Sequence, residues 1–360
     1  MAQKESLFKE IIDKVFPKLT NIIETINGKK KQLTYLHKTM LRKEYSADQK
    51  WESASLNTHR VAADMVAMDS PVPLKSRDAI SHSSGVLPKI GMKRALKESD
   101  LNAVNVMIAQ NASSAQVMNK LINDSVACSI GVDERNEANF LIGLSEGLVA
   151  IEDTENTGTA LRVDFGYLPE NQFGVASTSE ISHDDIKRVI TKADEDGNTI
   201  TTIALALSTY NKLRQTQWAK ELVANYRGQV YTNPANLAVP TASAFDEAFA
   251  DDNGGIKFLK IDRSIMIEKN GNRKSWKPWN ANKLIFLTTE DVGALVWGTL
   301  AEQNHRVEGV TYTVIDDYKL VSKFSKTDPL QEWTAVQALV LPVIENVDQI
   351  YSLDITQVQV

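Results

Sequence analysis

Residues 60–97 read RVAADMVAMDSPVPLKSRDAISHSSGVLPKIGMKRALK, in which two short apolar stretches, 60–68 and 86–94, flank a polar middle. Prolines keep most of this segment out of helices and out of central sheet positions. They are Pro71, Pro73 and Pro88. The pattern predicts a long hairpin-like arm with few internal contacts. Because such an arm cannot stabilise itself in isolation, we expect it to lie on another chain.

Upstream of the arm, apolar residues over 5–26 recur at i, i+3 and i+4, which predicts an amphipathic helix that ends at Gly28 and is kinked or broken at Pro17. This helix has to dock on the body of the subunit or on a neighbour. Residues 1–97 carry 18 basic and 10 acidic residues, and the remainder carries 22 and 36. The opposite net charges of these two parts favour attraction between copies of the chain. The alternative is an uneven surface charge that has no function.

Downstream, Ser99-Asp100 offers an N-cap for a long helix through Val126, and a second helix is predicted at 132–147. Mixed short elements follow, without a repeat of 20–50 residues, so the fold class is α+β. Extended stretches are predicted at 160–167, 200–206, 256–268, 283–288, 311–324 and 333–344. Helices are predicted at 182–194, 208–226, 243–250 and 289–303.

The composition, 42% hydrophobic and 24% charged, is that of an ordinary globular chain. It contains no run of about 18 uncharged apolar residues, so no membrane partner is expected. The N-terminus lacks the pattern of a signal peptide. One cysteine, Cys128, excludes an internal disulfide and is predicted to be buried, which suits a reducing cytoplasm. The net charge of −6 argues against extended wrapping of nucleic acid.

Motifs for chemistry are absent: there is no phosphate-binding glycine loop and no HExxH, and the five histidines show no ligand spacing. We therefore predict no catalytic residue, no cofactor and no metal. The acidic run 194–198 lacks the calcium-loop ligands at both ends and is a turn signal. Ser81-His82-Ser83 and Ser182-His183-Asp184 lack a nucleophile elbow, and Ser182 is better interpreted as a helix N-cap.

Trp276 and Trp279, with Arg273, Lys274 and Lys277 beside them, form a pattern that can stack single-stranded bases. The preferred interpretation is a loop anchored by its aromatic residues, since tryptophans are commonly partly buried at subunit contacts.

Several ordered blocks resemble the lambda-type major capsid proteins of tailed bacteriophages. Residues 61–70, 73–78 and 87–91 are similar to the extension loop of that family, and 97–101 to the entry into its long spine helix. Further blocks resemble the approach to its central sheet and its closing strands. These are 135–137, 143–147, 163–167, 337–343 and 350–354.

The resemblance implies the Hong Kong 97-type capsid fold. The implied division is a helical N-terminal arm at 1–58, an extension loop at 59–97, a peripheral domain with the spine helix at 98–178, an axial domain at 179–305, and a return to the peripheral domain at 306–360. The implied function is a subunit, not an enzyme, that assembles as hexamers and pentamers into an icosahedral head around double-stranded DNA. The implied location is the virion capsid, assembled in the host bacterial cytoplasm.

Seven residues of the loop region are candidates for contacts between subunits. They are Pro71, Pro73, Leu74, Lys75, Arg77, Lys89 and Arg94. Lys75, Arg77 and Lys89 are expected to meet the acidic body of a neighbour. Scaffold, portal and decoration proteins are further possible partners. A Lys–Asn crosslink, known in some capsids of this fold, is not predicted.

Three alternatives stay open at this point. The first is an encapsulin-like bacterial compartment shell of the same fold. The second is a hydrolase that uses Ser81 or His183, and the third is a nucleic-acid-binding module built on Trp276 and Trp279. Whether residues 1–58 are retained or removed on maturation is also open.

Overall fold

The computed structural model describes residues 6–9, 12–13, 35–56, 80–110, 114–151, 161–177, 180–269 and 271–359. Five of the seven contact candidates, from Pro71 to Arg77, lie outside these residues. So do the predicted strand at 60–68 and most of the predicted helix at 5–26.

The chain forms two compact units. The first unit comprises 1–51, 85–139 and 294–342, and the second comprises 52–84, 140–293 and 343–360. The described residues form eight α-helices. They are α1 Leu36–Met40, α2 Glu98–Ala109, α3 Ser114–Glu146, α4 His183–Glu195, α5 Leu207–Leu213, α6 Gln217–Tyr226, α7 Ala242–Asp252 and α8 Ala301–Asn304.

The strands alternate with these helices in mixed order, as an α+β fold requires. They are β1 Leu41–Tyr45, β2 Lys50–Leu56, β3 Ile80–Val86, β4 Lys89–Lys97, β5 Leu148–Ile151, β6 Leu161–Asp164, β7 Gln172–Val175, β8 Thr202–Ala206, β9 Lys257–Ile261, β10 Ile265–Lys269, β11 Asn272–Trp276, β12 Lys283–Leu287, β13 Gly293–Gly298, β14 Thr311–Ile315, β15 Lys319–Thr327, β16 Leu330–Ile344 and β17 Ile350–Val358.

The first unit carries most of a six-stranded sheet with the order β1-β13-β16-β15-β14, and β4 also pairs with β16. The ladder between β4 and β16 is antiparallel and joins Lys97 to Gln331 and Lys89 to Leu339. The stretch 86–94 of the predicted arm is therefore extended, as expected, but from Lys89 onwards its partner is β16 of this sheet. A separate two-stranded ladder joins β2 and β3, on either side of residues 57–79.

The second unit is built around a five-stranded sheet with the order β7-β17-β12-β8-β9. Strand β8 is almost continuously apolar and buried, which is typical of a strand covered on both faces. Helices α4 to α7 supply the rest of the core, in which the aromatic rings of Tyr210, Phe245 and Phe249 are fully buried.

The long helix predicted from residue 101 is two helices, and α3 alone spans 33 residues, because it includes the helix predicted at 132–147. Helix α3 ends at Glu146 and is followed by Gly147, whose φ of +72° suits glycine and whose N–H donates to the carbonyl of Gly143. The predicted helix at 208–226 is interrupted before Thr216, whose side chain accepts a hydrogen bond from the N–H of Ala219 and so starts α6.

The prediction of a helix at 289–303 is wrong. Residues Gly293–Gly298 form β13, and only Ala301–Asn304 are helical. A short apolar run does not distinguish a buried helix from a buried strand. Pairing with β1 and β16, which are distant in sequence, decides for the strand.

Candidate functional site

Strand β4 places the two described contact candidates on opposite sides of the large sheet, because side chains alternate along a strand. Arg94 lies on the side that faces α3, where its Nη1 is 3.7 Å from Oδ1 of Asp124. Lys89 lies on the other side, together with Lys93 and Lys97, and all three side chains are exposed. Arg94 is thus paired within its own subunit, whereas the Lys89 side chain is half exposed to solvent.

Trp333 of β16 lies on the same side of the sheet as these lysines. The Nζ atoms of Lys93 and Lys326 lie 5.0 Å and 5.4 Å from the centroid of its ring, within the range of cation–π contacts. On this side of the sheet, Trp333 lies between its cross-strand neighbours Phe324 of β15 and Ala95 of β4. We call this surface the lysine face. Its members are Lys89, Lys93, Lys97, Lys326, Phe324 and Trp333.

The lysine face is suited to binding and not to bond chemistry. Its positive charges surround the ring of Trp333 and are electrostatically complementary to an acidic surface. A carboxylate, Glu302, lies 4.0 Å from Lys89 and reduces the positive charge at that end. Among the described residues, no cluster of histidine, cysteine or carboxylate side chains is arranged to hold a metal ion. No described helix is long and apolar enough to span a membrane.

The opposite side of the sheet contains buried charges. Lys323 is 1% exposed and donates to the carbonyl of Leu121 at 2.8 Å, and burial lowers the pKa of its ammonium group. Glu332 is fully buried, and burial raises the pKa of its carboxyl group. That carboxyl group accepts hydrogen bonds from the hydroxyl of Ser6 and from the N–H of Leu7 at 3.1 Å. The described start of the chain therefore docks on its own subunit.

Segment 35–40, which includes α1, is anchored on α3. Glu137 accepts hydrogen bonds from the N–H groups of Leu36 and His37, both at 3.0 Å, and its Oε2 lies 2.6 Å from Nδ1 of His37. The hydroxyl of Tyr35 donates to Glu134 at 3.0 Å. Sequence reasoning missed this contact. The signal in the sequence was the pair of carboxylates one helical turn apart on α3, Glu134 and Glu137.

A second buried ammonium group lies close to this anchored segment. Lys319 has no exposed surface, and its Nζ lies 2.7 Å from Asp133 of α3 and 2.6 Å from Asp316. Lys38, next to the anchored segment, donates to the other oxygen of Asp133 at 3.0 Å. Burial opposes ionisation of Asp316, but the charge of Lys319 and its hydrogen bond lower the pKa of that carboxyl group. The first unit is thus held together by paired charges that cannot be removed singly without cost.

Comparison with known proteins assigns the family. Residues 18–355 match the family described as phage major capsid protein E. The chain belongs to this family. It is a structural subunit of a phage head, and the encapsulin-like alternative is not favoured.

Solved structures agree on the fold. A prophage protein of Escherichia coli CFT073, assigned as its capsid protein, aligns with a TM-score of 0.55 at 13% identity over 93% of this chain and 98% of that one. A phage-related protein from Bordetella bronchiseptica RB50 aligns with a TM-score of 0.50 at 9% identity over the whole of both chains. These likenesses support the Hong Kong 97-type capsid fold. No curated protein sequence matches the chain.

Three of the residues that suggested other functions have structural roles in this capsid protein. Ser182 is the N-cap of α4, since its side chain accepts from the N–H of Asp185 and the Asp185 carboxylate accepts from the N–H of Ser182. His183 stacks on Trp218 at a centroid distance of 4.8 Å, and burial is the main cause that lowers its pKa. Trp279 is 5% exposed, so it offers little surface for stacking a base.

Proposed function

We propose that this capsid protein assembles as hexamers and pentamers into an icosahedral head that encloses double-stranded DNA, and that it catalyses no reaction. The proposal places it in the virion capsid, after assembly in the host bacterial cytoplasm. Scaffold, portal and decoration proteins are its proposed further partners. Membership of the phage major capsid protein E family supports assembly into a shell. The lysine face is the structural observation that supports the proposed contacts between subunits.

The proposal keeps the division into an N-terminal arm at 1–58, an extension loop at 59–97, a peripheral domain at 98–178, an axial domain at 179–305 and a C-terminal return at 306–360. The loop reaches over a neighbour through Pro71, Pro73, Leu74, Lys75 and Arg77. Lys89 contributes from the lysine face. Arg94 contributes less, because Asp124 already faces it.

Charge supplies the attraction between subunits. Lys93 and Lys97 are exposed on a chain whose residues 98–360 hold 22 basic and 36 acidic residues. A single contact of this kind is weak, because exposed ion pairs contribute about 0–1 kcal/mol each. In a closed shell each copy makes every contact simultaneously, so weak contacts add to a stable particle.

Deletion of residues 70–79 tests the extension loop. The deletion spares β2 and β3, which pair with one another and keep the base of the loop closed. We expect a subunit with unchanged circular dichroism that forms no shells in negative-stain images. Shells of normal size and yield from this variant would exclude the loop as a clamp between subunits.

Charge reversal tests the lysine face. Lys93→Glu with Lys97→Glu is expected to reduce shell yield while the subunit stays folded. The control with the same change in charge is Lys212→Glu with Lys257→Glu, at two exposed lysines of the second unit. Equal yields from the variant and the control would contradict the proposal. The contents of purified particles test the enclosed partner, since double-stranded DNA supports the phage head and packaged protein contradicts it.

A further inference from the structure

Strands β10 and β11 form a hairpin that pairs with nothing else in the described part of the chain. The ladder runs from Ile265 opposite Trp276 to Lys269 opposite Asn272, and Gly271 at the turn has a φ of +79°. An isolated two-stranded hairpin is marginally stable in water. This hairpin therefore gains stability if a further surface covers it.

The hairpin is basic within an acidic protein. Residues 262–277 hold five basic and two acidic residues, while the rest of the chain holds 35 and 44. Arg273 lies 2.7 Å from Glu268 and Lys277 lies 2.6 Å from Asp262, so two of the cations already have a carboxylate. Lys274 is exposed on β11.

The hairpin also exposes apolar surface. Met266 lies on one face and is 62% exposed, whereas Ile267 and Trp276 lie on the other face and are half-buried beside the buried Ile265. Methionine and tryptophan are enriched in the cores of protein interfaces. Nucleic acid requires clustered cations that are free to bind phosphate, which the pairing of Arg273 and Lys277 opposes. The exposed methionine and the partly neutralised charge of the hairpin fit a protein partner.

We propose that the hairpin 265–276 is a docking element that binds the acidic surface of a second copy of this chain. Met266 supplies apolar contact on one face of the hairpin, and Lys274, on the opposite face beside Ile267, supplies the charge that an acidic copy attracts, so the partner contacts both faces. The inference rests on the proposed shell assembly and adds to it a named contact outside the extension loop and the lysine face. Such a contact is head-to-tail, because the hairpin of one copy binds a different surface of the next, and contacts of this type form rings where the rotation between copies closes.

Hydrogen exchange of the full chain tests the inference, with free subunits compared with assembled particles. The amides of 265–269 and 272–276 are expected to exchange at least about tenfold more slowly in particles, a factor that corresponds to about 1.4 kcal/mol. Equal exchange in both states would overturn the docking role while leaving the shell itself intact. A wild-type chain that forms no particles would instead overturn the proposed function.

Substitution gives a second, independent measurement. Met266→Ser and Lys274→Glu are each expected to lower the rate of assembly measured by light scattering. The matched control is Lys257→Glu on β9, an edge strand of the five-stranded sheet that precedes the hairpin in the chain. Binding of a 30-base-pair DNA duplex by the free subunit, lost in Lys274→Glu, would overturn the protein partner in favour of a phosphate contact. Assembly rates of both variants equal to the control would also overturn it.

Discussion

Replacement of Glu137 with alanine is expected to release segment 35–40 from α3. The Glu137 side chain is 1% exposed, and its carboxylate is the partner of two backbone N–H groups and of Nδ1 of the fully buried His37. Each buried donor left without an acceptor costs about 1–3 kcal/mol, and more where the acceptor was charged. Because Glu137 is the acceptor for two backbone N–H groups, we expect the local contact to lose about 3–5 kcal/mol.

Hydrogen exchange measures this loss directly, because the amides of Leu36 and His37 are the donors. A loss of about 3–5 kcal/mol corresponds to exchange that is faster by roughly two to nearly four orders of magnitude. Glu137→Gln keeps one acceptor oxygen and is expected to be intermediate. Glu308→Ala removes an exposed carboxylate of the same unit and is the control. Unchanged exchange at residues 36 and 37 in the alanine variant, with α3 still helical, would refute this account of the anchor.

Three further predictions concern caps and buried charge. Ser182→Ala removes the N-cap of α4 and is expected to lower the free energy of unfolding by about 1 kcal/mol in thermal denaturation, whereas Ser182→Thr keeps a capping hydroxyl and most of that stability. Equal losses of stability in the two variants would contradict the role of Ser182 as a cap. Because burial lowers the folded pKa of His183, stability is full above its ordinary pKa of 6.5 and falls as pH decreases through the lower folded pKa. In denaturant titrations at several pH values, His183→Gln is expected to reduce this dependence of stability on pH, and the control His305→Gln is not. An unchanged pH dependence in both variants would exclude His183 as the cause. Lys323→Met and Glu332→Gln are each expected to destabilise the subunit, because each single change leaves one buried charge without its opposite. The double variant is expected to lose less free energy of unfolding than the two single variants together. Strict additivity would show that the two groups do not interact.

The sequence by itself predicts those elements whose signals are local. Ser182 is followed by acidic residues in the first turn of an amphipathic stretch, and α4 begins where this pattern indicates. Strand β8 and strand β12 lie within the predicted extended stretches 200–206 and 283–288. Caps, periodicity and apolar runs act within a few residues, so they are readable without the rest of the fold.

The family was also readable from sequence. Ordered blocks between residues 60 and 170 and near the C-terminus resembled lambda-type capsid proteins, and the match over 18–355 confirms that prediction. The contact candidates at 71–77 stay predictions, since they lie outside the described residues. Of the two described candidates, Lys89 and Arg94 looked equivalent in sequence and differ only because the strand alternates between a helix-covered side and an exposed side.

Tertiary structure alone decided the pairing of distant segments. Strand β4 meets β16 more than 230 positions later in the chain, and this pairing brings Lys93 beside Trp333. Glu137 meets His37 across 100 residues of chain. No local preference encodes such contacts, because their free energy comes from burial and hydrogen bonding that exist only once the whole unit has formed. The same reason turned the apolar run at Gly293–Gly298 into a strand where the local pattern indicated a helix.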